Sequence, residues 1–126
     1  QLFRNILFCF LIFLGAMSPA SAQDTTPYVR IARIVVDSAQ LNDYKVLLKE
    51  GMQTSVRVEP GVLRMYAVCD NLHPNHITIL ETYASKTAYE SHIRSAHFKK
   101  YKTASLQMVK SLELIDVTPI AYEDKK

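Results

Sequence analysis

The chain has 126 residues, with 15 Lys and Arg against 12 Asp and Glu. Its basic residues form no block, so the charge does not point to nucleic acid. Its 3 glycines build no phosphate loop.

Residues 1–22 read as a secretory signal peptide. Arg4 supplies the positive start, Ile6 to Leu14 are unbroken apolar residues, and Ala20-Ser21-Ala22 is a small-x-small cleavage site. The apolar run is too short to span a bilayer, which needs about 18 residues or more. The sequence therefore predicts an extracytoplasmic protein, periplasmic or secreted, with no membrane association after cleavage. Residues 23–126 are expected to form one domain. Without Arg4, that domain carries 14 basic residues against 12 acidic, a net charge of +2. Cys9 falls in the signal and only Cys69 remains, so no internal disulfide is expected. A lone strand cysteine is expected to be a small buried apolar residue.

Tyr28 to Val36 is rich in β-branched residues and predicts a strand. Both of its alternating sets are apolar: Val29, Ile31 and Val35 on one, Ala32, Ile34 and Val36 on the other. Asp37 to Gln40 is a helix start, with an acceptor side chain at the cap. Leu41, Tyr44, Leu48, Met52 and Ser55 then recur at helical spacing, and Glu59-Pro60-Gly61 stops the element, giving a helix over 39–57. Val62 to Asp70 predicts a second strand, with Leu63, Met65, Ala67 and Cys69 facing one way and Arg64, Tyr66 and Val68 the other. Asn71 to Asn75 is turn chemistry, and His76 to Tyr83 is a third strand. Ser85 caps a second helix, whose pattern continues to Met108, so that it either runs on or kinks near Ser95. Leu112 to Thr118 is a fourth strand, and Ala121 to Lys126 a polar, frayed tail.

The order strand, helix, strand, strand, helix, strand predicts an α+β, ferredoxin-like βαββαβ fold, an antiparallel sheet with both helices on one face. Apolar residues on the other face must still leave water, at about 1.5–3 kcal/mol for each Val or Ile. A homodimer with the two sheets face to face is therefore expected.

The stretch from Glu81 to Tyr101 concentrates His92, His97, Phe98 and three tyrosines. Imidazole, titrating near neutral pH, is the natural general base, and tyrosines hold a phenolic ligand by stacking and hydrogen bonding. On a straight helix His92 and His97 stand roughly 140° apart, so no metal site is expected. Tyr89 and Tyr101 are expected in the core; Tyr66 and Tyr83 suit either core or pocket.

The run E-T-Y-A-S-K-T-A-Y-E-S-H-I-R-S-A-H-F resembles the signature of the antibiotic-biosynthesis monooxygenase family, whose members are dimeric α+β barrels. Glu81, Tyr83, His92, His97 and Phe98 match its pattern, and Pro60-Gly61-Val62-Leu63 resembles its hairpin entry. The resemblance extends from about Val29 to Thr118. It implies cofactor-independent oxygenation of a quinol or polycyclic phenol with O2, with no cofactor. It implies His97 or His92 as base, Tyr66 and Tyr83 orienting a small aromatic substrate, and Phe98 as wall. The haem-degrading branch differs at its key places: this chain has Ala32 for a strand asparagine, His92 for a helix tryptophan, and Lys102 for a later histidine. A non-catalytic module for haem or another flat aromatic ligand, or a structural dimeric domain, are the alternatives.

Overall fold

A computed structural model describes residues 26–126. The signal segment 1–22 lies outside the described residues. Four strands form one antiparallel sheet: β1 (Tyr28–Val36), β2 (Val62–Cys69), β3 (His76–Tyr83) and β4 (Val109–Val117). Their order is β2-β3-β1-β4, so consecutive β1 and β2 are separated by β3, the arrangement of the ferredoxin-like α+β fold. The helices are α1 (Leu41–Val58), α2 (Lys86–His92) and α3 (Ala96–Ser105).

Each expected strand is present, and each boundary has a local cause. Asp37 accepts a hydrogen bond from the Ala39 backbone at 3.0 Å, capping a short 3-10 turn that leads into α1. Glu59 is already extended, so α1 ends just before Pro60. β4 begins at Val109, three residues earlier than the sequence suggests; Asp37 draws the chain in by donating its N–H to the Met108 carbonyl at 2.8 Å.

The second helix is broken, the kinked alternative. Ser95 both ends α2 and starts α3. Its N–H and hydroxyl bond the His92 carbonyl, and its Oγ accepts from the Phe98 backbone at 3.3 Å. Ser95 is extended there, so the chain changes direction between His92 and Ala96.

The core lies between the helices and one sheet face, where Ala32, Ile34, Val36, Ile77 and Ile79 meet Tyr44 and Leu48. On the opposite face the register aligns Tyr66, Leu80, Ile31 and Ile115 in one apolar row. Leu63 is exposed because the β2–β3 register shifts between Val62 and Arg64, leaving Val62 to point inward. Cys69 is exposed, contrary to the expectation from alternation, because it ends an edge strand. The tail is irregular, yet the Tyr122 ring lies 3.8 Å from the Arg64 guanidinium carbon. The chain after β4 thus reaches back across the open face to β2, the opposite edge. Among the described residues no helix is long and apolar enough to cross a membrane.

Candidate functional site

A cavity of about 100 Å³ lies between the sheet and the helices. Three cross-strand rows form its floor. Arg30, Glu81 and Met65 make the polar row; Ala32, Ile79 and Leu114, then Ile34 and Leu112, make the apolar ones. From above it is closed by Leu48 and Met52 of α1, Tyr89 and His92 of α2, and Phe98 and Tyr101 of α3. The lining is mostly apolar with a few polar groups converging at one end, the usual character of a small-ligand site.

His92 is buried at this polar end. Its Nδ1 lies 2.7 Å from Glu59 Oε2, and His97 Nε2 lies 2.6 Å from the same oxygen. The break at Ser95 creates this convergence, since on one straight helix the two imidazoles would diverge. His97 Nε2 is also 3.2 Å from Ser95 Oγ. Burial pushes the Glu59 carboxyl up, but the hydrogen bonds from His92 and His97 outweigh it and hold its pKa below the ordinary value. With Nδ1 donating to an ionised Glu59, a neutral His92 carries its lone pair on Nε2. Its ring sits 5.0 Å from Phe98 and 5.5 Å from Tyr83, centroid to centroid.

Beside it, the Tyr83 hydroxyl donates to Glu81 Oε2 at 3.0 Å. Burial raises the Glu81 pKa, against the opposing pull of Tyr83, His92 and Arg30. Burial and the neighbouring Glu81 also raise the Tyr83 pKa, so this hydroxyl stays protonated as a donor.

The predicted site residues therefore separate. His92, Tyr83 and Phe98 line one cavity. His97 lines a smaller neighbouring cavity with Lys100 and Tyr101, and is joined to His92 through Glu59. Tyr66 is 64% exposed on the opposite sheet face. Tyr101 packs against the core as expected and also walls the cavity, whereas Tyr89 is a half-buried cavity wall. Glu59 and Arg30 also belong to the site, and the sequence pattern does not single them out. Glu59 is part of a helix stop, and Arg30 follows strand alternation on the inner face, which was itself the available signal.

Glu59, His92 and His97 present three ligand atoms within 4.8 Å of one another, a set able to hold a metal ion. The expectation of no metal site rested on a straight helix, and that premise fails. The separations of 2.6 and 2.7 Å are nevertheless hydrogen-bond lengths. Zinc with ligands at about 2.0–2.2 Å in tetrahedral geometry needs them further apart. The group as it stands is a carboxylate accepting from two imidazoles.

The antiparallel sheet in the order β2-β3-β1-β4 with its helices on one face is an α+β, ferredoxin-like domain, here with an aromatic, histidine-bearing cavity. The sequence profile described as antibiotic biosynthesis monooxygenase matches residues 27–104, and the chain belongs to that family. It is similar to a solved candidate antibiotic biosynthesis monooxygenase from Bacteroides thetaiotaomicron, with 50% identity, a TM-score of 0.76, and coverage of 80% of this chain and 96% of that one. A candidate monooxygenase from Lactobacillus acidophilus is 28% identical with a TM-score of 0.73, over 75% of this chain and 45% of that one. A candidate antibiotic biosynthesis monooxygenase from Nitrosomonas europaea, 18% identical with a TM-score of 0.71 over 76% of this chain and 92% of that one, shares the fold. No curated protein matches the chain.

Proposed function

We propose that the protein is a cofactor-independent monooxygenase that oxidises a small quinol or phenol with O2. The observation that carries this reading is His92, fixed by Glu59 at Nδ1 while its ring lines the aromatic cavity. His92 Nε2 takes the acidic proton of the substrate. The resulting electron-rich anion reduces O2 in one-electron steps, and recombination at carbon gives a hydroperoxide. Loss of water then leaves a new C=O, so one oxygen atom ends in the product and the other in water. Burial of the base and the apolar walls keep bulk water from the anion. Tyr83 and Phe98 hold the ring; Glu59 and His97 position the base.

The test is oxygen consumption by the purified protein with a panel of reduced quinones and a chelator present. Uptake above autoxidation that falls in His92→Ala supports the reading, and a flat trace across the panel sinks it. Ligand-induced spectral change without uptake would favour a binding module instead.

We also propose a homodimer joined through the open sheet faces, completing an α+β barrel. Its support is the apolar row Tyr66–Leu80–Ile31–Ile115, which no helix among the described residues covers. Export is proposed from the leader pattern alone; a mature N-terminus at Gln23 by mass spectrometry is its test.

A further inference from the structure

Arg30 occupies the centre of the sheet row Asp116–Arg30–Glu81–Met65. Its side chain is only 11% exposed and lines the cavity. The Nε lies 3.1 Å from Asp116 Oδ1, yet makes no hydrogen bond, because the oxygen is off the N–H direction. No hydrogen bond reaches its terminal nitrogens among the described residues either. Glu81, the neighbour across the β1–β3 ladder, gives its Oε2 to Tyr83 instead. What remains around the guanidinium is aromatic: its carbon is 4.6 Å from the Tyr89 ring centroid and 5.9 Å from that of Tyr28. A guanidinium offers five donors in a plane; its Nε is buried without a hydrogen bond here, and a buried donor left unmade is costly. Such a group at the wall of a cavity calls for an acceptor that enters the cavity.

Size and charge restrict that acceptor. An apolar cavity of roughly 150 Å³ takes benzene, so about 100 Å³ suits a single ring. Glu81 and Asp116 flank Arg30 on the two neighbouring strands, which disfavours a second concentrated negative charge such as a carboxylate. A phenolate spreads its charge into the ring and is repelled less. The base is close by: Tyr83 lies 5.5 Å from the His92 ring and 5.4 Å from Tyr89, which carries Arg30 on its face.

We infer that Arg30 is an oxyanion subsite, which binds the deprotonated oxygen of a one-ring phenol, so that the cavity takes such a ligand as its phenolate. This rests on the reading of the cavity as an aromatic-ligand site, but not on turnover.

The experiment uses para-nitrophenol, whose ionised form has its own visible absorption. Bound to the protein it should ionise about one to three pH units below the free phenol, the effect of an opposite charge at close range. Arg30→Met should abolish that displacement, and Arg30→Lys should keep part of it. Asp116→Asn, an exposed change that leaves the core intact, should move ionisation to still lower pH by removing the competing anion. Binding of the neutral phenol, or an undiminished displacement in Arg30→Met, would overturn the inference. Benzoate binding more tightly than nitrophenolate in an Arg30-dependent way would overturn the phenol assignment. Oxygen uptake is read separately. Its absence with quinols would sink the oxygenase and leave Arg30 binding intact. Its persistence in Arg30→Met, with phenol bound neutral, would sink the subsite and leave the oxygenase.

Discussion

His92 Nδ1 and Glu59 Oε2 are 33 residues apart in sequence and 2.7 Å apart in space. With Glu59 ionised and His92 neutral, the pairing puts the N–H on Nδ1 and the lone pair on Nε2. His97, on the other side of the same oxygen, supports the carboxylate rather than the cavity.

In the proposed oxygenase, removing the base should cost most. His92→Ala is expected to lower kcat by about 10²–10⁴-fold, the ordinary weight of a positioned general base. Glu59→Gln should fall between wild type and that variant, at roughly 10–10²-fold, because it weakens the hold on the base without removing it. His97→Ala should cost less than Glu59→Gln. Steady-state oxygen uptake with KM measured alongside kcat checks the order; a His97 variant worse than His92→Ala would reverse the assignment.

Glu59, which holds His92, and Glu81, which lines the cavity, should pull stability in opposite directions with pH. Glu59 titrates below its ordinary value when folded, so it stabilises above about pH 4.5 and loses that contribution as pH falls through its lower folded value. Glu81 titrates above its ordinary value because it is buried. Its contribution is full below about pH 4.5 and is lost as pH rises through the higher folded value. Urea unfolding across this range should show Glu59→Gln flattening the acid limb and Glu81→Gln raising stability toward neutral pH. If both variants keep the wild-type profile, neither carboxyl is coupled to folding as its environment indicates.

The fold was largely legible because burial imposes short periods on the sequence. The β-branched run Tyr28 to Val36 marks a strand although both of its faces are apolar, and the spacing of Leu41, Tyr44 and Leu48 records which face of α1 is inside. The site was legible only in part. His92, Tyr83 and Phe98 lie close together in sequence near the end of β3 and the start of the helical segment. Glu59 comes from the end of α1, and no spacing rule links it to a histidine 33 positions later. The geometry that joins them depends on Ser95 taking the capping role for a new helix, a competition with helix continuation that periodicity alone leaves open. Tyr66 lies on the other face for a different reason. An aromatic residue on a strand fits either sheet face, and here the face was set by its alignment with Leu80.

Two glycines near the site should respond oppositely to alanine. At Gly61 an added Cβ would stand 2.5 Å from the Ala88 Cβ of α2, so the helix or the β2 entry must move. Gly61→Ala is expected to destabilise by about 1–3 kcal/mol, the usual cost of overpacking. At Gly51, inside α1, the added Cβ would meet Tyr101 at 3.6 Å, an ordinary contact. Gly51→Ala should stabilise by about 0.5–1 kcal/mol through the lower entropy of the unfolded chain. Paired denaturation midpoints decide this, and a stabilising Gly61→Ala would mean that α2 is not seated against the hairpin as described.

The last expectation concerns the open sheet face. Leu80 sits in the row Tyr66–Leu80–Ile31–Ile115, and it remains 38% exposed in the single chain. It packs against none of the core on the helix side, so a charge there should leave the protomer folded. In a face-to-face dimer the same residue is central, and an unpaired buried carboxylate is strongly unfavourable. Leu80→Glu should therefore turn a dimer into a monomer in light scattering while far-ultraviolet circular dichroism is retained. Because the segment carrying Tyr122 already crosses one end of this face, removing residues 119–126 should strengthen dimerisation if the tail competes with the partner sheet and weaken it if the tail completes the interface. A wild-type protein that scatters as a monomer at micromolar concentration would sink the dimer and leave the row to be covered in another way.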